Sequence, residues 1–154
     1  MTIEQSLIVS LRNRLVPGCV SADDYQRIGN LPPENSPLYV RESFTPLTVS
    51  EPFQTKAAYR YLAQFDVFLR RGADVNVTAE LFRVAGAIRD ELNPRDPAKI
   101  DLALPGWSGA KACVERVVNY NSFTQEAEFY QLPTQAYITL LMDDDATYTE
   151  PEDE

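Results

Sequence analysis

Residues 57 to 92 carry the clearest pattern in the chain. Tyr59, Tyr61, Ala63, Phe65, Val67 and Leu69 fall at every second position, with Arg60, Gln64, Asp66 and Arg70 between them. A period of two, rich in aromatic and branched residues, predicts a half-buried strand. Leu62 and Phe68 interrupt its polar face, so part of that face is expected to be covered. Gly72 permits a turn, after which Val77, Leu81, Val84, Ala85, Ile88 and Leu92 recur at helical spacing. Asn76 or Thr78 can cap this helix, and Asn93-Pro94 ends it.

Residues 2 to 16 predict a second helix. Thr2 and Gln5 form a capping-box pattern, and Ile3, Leu7, Ile8, Leu11 and Leu15 make an apolar stripe that Pro17-Gly18 stops. Residues 17 to 36, rich in Pro, Gly, Asn and Asp, read as an irregular connection. A short strand follows over residues 37 to 42. Residues 43 to 55 hold Pro46 and Pro52 and read as a long loop, with Phe44 and Phe53 near its ends. Loops of that length in small domains are functional or disordered. Residues 93 to 110 form another connection, in which Trp107 is expected to cover the edge of the core, with a binding role as the alternative.

Strands are then predicted over residues 111 to 120 and 128 to 142, joined by a turn. In the last, Ala136, Ile138, Leu140 and Met142 share one face while Tyr137, Thr139 and Leu141 take the other. Pro133 marks a bend, bulge or edge position. The order helix, strand, strand, helix, strand, strand predicts an α+β two-layer sandwich. It consists of an antiparallel four-stranded sheet with two helices packed on one face. The domain is expected over residues 1 to 142, and residues 143 to 154 as a disordered acidic tail.

A chain of 154 residues fits one domain with a real core. Its net charge of -9 opposes attraction to nucleic acid phosphates, and Asp143-Asp144-Asp145 with Glu150, Glu152, Asp153 and Glu154 hold much of that charge. Cys19 and Cys113 lie far apart and read as reduced thiols of a cytosolic protein. No basic segment followed by an apolar run opens the chain, so no signal peptide is expected, and no stretch has the length of a membrane span. Histidine is absent, which removes the commonest general base and transition-metal ligand.

No catalytic, cofactor or metal constellation emerges from the remaining residues. Asp143-Asp144-Asp145 lacks the glycine turn and distal ligand of a calcium loop, and Gly106 with Gly109 lacks the context of a phosphate loop. Asp66 and Glu115 sit on strands beside Arg60 and Arg116, where ion pairing is commoner than acid–base chemistry. Cys113 reads as a small buried apolar residue. What stands out is apolar surface that two layers do not bury. Leu62, Phe68, Tyr137 and Leu141 fall on second faces of strands, and Phe44 and Phe53 flank a loop. These six are the candidate contacts to another subunit or partner. Ordinary scattered surface apolar residues are the plainer alternative.

The run Pro37-Leu38-Tyr39-Val40, the strand from Ala58 to Leu69 with its Val67-Phe68-Leu69 ending, and the helix after it resemble the tail terminator (tail completion) proteins of long-tailed bacteriophages. Val117-Val118-Asn119-Tyr120, a turn, and Tyr137-Ile138-Thr139-Leu140-Leu141-Met142 fit the same pattern. The likeness covers most of residues 3 to 142 and lies in element order and hydrophobic texture, without an invariant motif. The connections at 17 to 36 and 93 to 110 are longer than in that family. The resemblance implies a homohexameric ring in the virion, built in the host cytoplasm, that caps the head-proximal end of the tail tube. It also implies the tail tube protein and a head-completion protein as partners. DNA is then expected to pass through the lumen without specific binding, and no cofactor is expected. A neck or head–tail connector of the same virion is the alternative ring. A small carboxylate-dependent enzyme is the alternative outside assembly, and it requires Asp66, Glu115 or Asp101 together in one pocket.

Overall fold

The computed structural model describes residues 1–29, 31–33, 36–49, 56–72, 76–93, 101–120, 122–125 and 128–150, with the backbone alone at 48–49 and 56–58. Among these residues two helices and seven strands follow in the order α1 (Ile3–Leu15), β1 (Tyr25–Arg27), β2 (Leu38–Val49), β3 (Lys56–Arg70), α2 (Val77–Leu92), β4 (Asp101–Leu102), β5 (Trp107–Asn119), β6 (Thr124–Gln125) and β7 (Phe129–Tyr148). The strands form one sheet in the order β1-β2-β3-β7-β5-β4, with β6 also on β7. β1 runs parallel to β2 and every other pair is antiparallel. The four-stranded antiparallel layer expected from the sequence is therefore corrected to a seven-stranded, mixed and curled sheet.

Each departure has a local cause. β1, β4 and β6 are two or three residues long, too short for a period of two to show. β2 continues through Pro46 to Val49, where a loop is expected, and its register shifts between Pro46 and Thr48. β1 covers only Val40 to Glu42, so Pro46 lies on an open rim, where a missing N–H is tolerated. Phe53 lies outside the described residues.

β7 also runs past the expected boundary at residue 142. Its last residues pair back onto β5, Thr147 with Ser108 and Tyr148 with Trp107, and Thr149 N–H donates to the Gly106 carbonyl at 2.7 Å. Gly106 and Gly109 hold φ of +83° and +73°. A Cβ on Gly106 would lie 2.7 Å from the Thr149 oxygen, and one on Gly109 would lie 3.1 Å from Ala146 Cα. Both glycines therefore serve as much for close approach as for the turn. The acidic run is part of this strand rather than a tail; residues 151–154 are outside the described set.

The core forms where the helical stripes meet the inner side of the curl. Thr2 caps α1 as expected, its Oγ1 accepting from Gln5 N–H while Gln5 Oε1 accepts from Thr2 N–H. Ile3, Leu7, Leu11 and Leu15 of α1 and Leu81, Val84, Ala85, Ile88 and Leu92 of α2 are buried with alternate residues of β3 and β7. Asn76 caps α2 by accepting from Ala79 N–H. Trp107 does cover the core edge: it packs on the cluster and its Nε1–H donates to Ser6 Oγ at 3.0 Å.

One inner-side residue is ill matched to its site. Glu42 is 2% exposed, and its Oε2 accepts no hydrogen bond; neither does the nearby buried Tyr25 hydroxyl find a partner. Arg27 approaches at 3.8 Å, but its side chain is 61% exposed, so water screens the pair. Burial accordingly raises the Glu42 carboxyl above its ordinary pKa, with Arg27 opposing. A raised carboxyl pKa favours the fold at low pH, and that contribution is lost as pH rises from the ordinary carboxylate range through the folded value. Glu42→Gln should then raise stability by about 1–2 kcal/mol at pH 7.5, the scale of an unpaired buried polar group. The gain should fade near pH 4. Denaturant melts at the two pH values check this, and an equal effect at both would contradict it.

Candidate functional site

The outer face of the sheet, opposite the helices, gathers most of the candidate residues. β3 and β7 place Leu62 directly opposite Tyr137, and the β2 register puts Thr45 on the other side of Leu62. Both Leu62 and Tyr137 are half-buried. Leu141 lies four residues further along the same face of β7 and is 43% exposed. Leu62 and Tyr137 adjoin across the two central strands, and Leu141 follows beyond Thr139, which stands opposite Arg60.

The other candidates part from them. Phe68 is at the far end of the β3–β7 ladder and only 6% exposed. Its ring stacks on Tyr39 at 4.9 Å, both meet Phe129 edge-on, and Arg41 lies over Phe68 at 4.8 Å. It is therefore corrected from an open apolar contact to the centre of a covered aromatic cluster. Phe44 turns to the inner side, stacked on Tyr61 at 4.9 Å and packed against the core, so it does not join the outer patch.

Between the patch and the rim of β5 is a hollow of about 280 Å³, lined by Leu47, Arg60, Glu115, Arg116 and Tyr137 among others. The β5 register shifts between Val114 and Arg116, so that Glu115 and Arg116 both face outward here and Arg116 stands opposite Tyr137. Glu115 Oε1 accepts from the Thr139 hydroxyl and sits 3.9 Å from Arg60. Arg116 lies over the Tyr137 ring at 4.3 Å. Gln64 bridges the strands, accepting from Gln135 and donating to Asp66 at 2.9 Å.

The candidate carboxylates are not brought together. Asp66 is buried opposite Pro133, six residues along β3 from Arg60, which is on the order of 20 Å from the Glu115 hollow. Asp101 pairs with Cys113, and both Asp101 and Glu115 bear on that thiol. Burial, then Glu115 and Asp101, push the Cys113 pKa up, which keeps it a poor nucleophile. Neither Cys19 nor Cys113 is in a disulfide, and among the described residues no three Asp, Glu or Cys side chains group as a metal site.

Sequence reasoning missed the guanidinium groups of this face. Arg41, Arg70 and Arg116 rest on Phe68, Phe129 and Tyr137. Alternation marks Arg41 and Arg70 as outward, but their ring partners come from other strands, and only register shows them.

No protein-family model matches the chain, and no curated protein matches it in sequence. Twelve chains of solved structures do match. One of them, a protein known by a serial number alone, superposes with a TM-score of 0.62 over 98% of this chain and 100% of its own, at 14% identity. At that identity the likeness concerns the fold alone.

Proposed function

We propose that the chain is a structural subunit of a phage tail terminator ring, stacking at the head-proximal end of the tail tube and ending its growth. The observation that carries this reading is the apolar side chains on the outer face, where Leu141 is exposed and Leu62 and Tyr137 are half-buried with Arg116 over the Tyr137 ring. Side chains of this kind on a sheet face are costly to leave in water and gain most when another chain covers them. The resemblance in element order to tail terminator proteins supplies the kind of partner. DNA passes through the ring, the tube protein contacts one end and a head-completion protein the other.

Polymerising tail tube protein with and without the purified chain tests this. Tubes should become shorter and carry an extra ring at one end in electron micrographs. Rings bound to DNA-filled heads, with bare tubes unaffected, would instead assign the chain to the head side of the neck. Tubes of unchanged length with bare ends would overturn the terminator reading.

A further inference from the structure

The two ends of the β3–β7 ladder differ in chemistry, and the acidic excess lies just past one of them, at exposed Asp144 and Asp145. At one end Arg70 pairs with Phe129, and at the other Lys56 pairs with Asp143. The guanidinium of Arg70 lies 4.9 Å over Phe129, and that of Arg41 lies 4.8 Å over Phe68. Tyr39, Phe68 and Phe129 stack into the floor beneath them. Neither arginine forms an ion pair among the described residues; the Arg70 side chain donates one hydrogen bond there, to the Pro33 carbonyl at 3.3 Å. A guanidinium lying flat on a ring keeps its N–H edge available for a planar anion. Nearby Asp66 is buried and bonded to Gln64.

At the opposite end β7 leaves its partner strand, since Ala110 pairs with Met142 but Ser108 with Thr147. The intervening residues bulge there, and Asp144 and Asp145 are exposed, with Glu150 exposed beyond them. Over the 15 residues of β3 the ends stand on the order of 45 Å apart, so one molecule cannot bring its own two patches together. Opposite patches at opposite ends of one chain complement each other between copies, head to tail, and such a contact closes into a ring when its rotation allows.

We infer that the Arg41–Arg70 platform receives the Asp144–Asp145 bulge of a second copy of this chain. This rests on the ring reading above and deepens it, giving each subunit contact a charged lock beside the apolar patch. The net charge of -9 repels a nucleic acid and a second copy alike, so what favours the second copy is local: two exposed carboxylates matched to two guanidinium groups that form no ion pair among the described residues.

Sedimentation velocity on four proteins tests it: wild type, Arg41→Glu with Arg70→Glu, Asp144→Lys with Asp145→Lys, and the variant carrying all four changes. Melting curves confirm folding, and Arg41→Gln with Arg70→Gln replaces the first pair if reversal prevents it. Wild type should assemble at 50 mM salt and weaken at 500 mM. Each reversed pair should lose at least tenfold in association, and the four-fold variant should regain most of it. Assembly of both reversed variants as well as wild type would overturn the charged lock while leaving the ring standing. A wild type that stays a single subunit at all salts would overturn the ring reading as well. Binding of a fluorescent 20-base-pair duplex that Arg41→Glu with Arg70→Glu abolishes, without change in assembly, would assign the platform to phosphodiesters and overturn the inference.

Discussion

Cutting the chain after Met142 should lower its melting temperature by on the order of 10 °C. A sequence-based expectation of a solvated acidic tail gives no such effect. In the fold, Thr147 and Tyr148 pair with Ser108 and Trp107 at the start of β5, and Tyr148 packs against Trp107 with ring centroids 5.5 Å apart. Truncation uncovers the indole, removes the Thr149 hydrogen bond to Gly106 and leaves the start of β5 without a neighbour. Loss of one aromatic contact, its buried area and several ladder hydrogen bonds sums to about 2–4 kcal/mol. Removing these residues also removes negative charge, which by itself would reduce self-repulsion. Asp143→Asn with Asp144→Asn and Asp145→Asn separates the two effects, since it keeps the strand and should move the melting temperature by no more than a few degrees. If truncation does no more than this triple variant, the strand extension contributes nothing.

The second large effect concerns association rather than folding. Leu62→Asp with Leu141→Asp should leave the subunit folded, because Leu141 is exposed and Leu62 half-buried already. Surface changes of that kind cost little within one chain. At a contact between copies the same changes forfeit about 1.5–3 kcal/mol per leucine and bury a charge besides. Association should fall by about a hundredfold or more per contact. Light scattering beside a melting curve distinguishes the cases: loss of assembly with an unchanged melt supports the patch, and loss of both places the leucines in the subunit's own core.

The helices and the central strand were legible because each states its period within its own residues. Thr2 with Gln5 and the Ile3, Leu7, Leu11, Leu15 stripe define α1 without reference to anything distant, and Leu81 to Leu92 do the same for α2. The extent of the sheet was not legible. Tyr25–Arg27 and Asp101–Leu102 are strands only because longer neighbours pair with them. Asp143 to Tyr148 look like a tail because their exposed side chains are acidic, while what holds them is two glycines and a tryptophan some 40 residues earlier. Half the candidate site was readable for the same reason. Leu62, Tyr137 and Leu141 face outward by simple alternation. Phe68 also does, yet Tyr39 and Arg41 close over it, and that depends on the β2–β3 register.

The mass of the purified chain in solution tests the account most directly. Multi-angle light scattering at low salt, with electron micrographs of the same fractions, should show closed rings of about six subunits, the number the resemblance to tail terminators implies. A single subunit at every concentration, in the presence of tail tubes as in their absence, would contradict it.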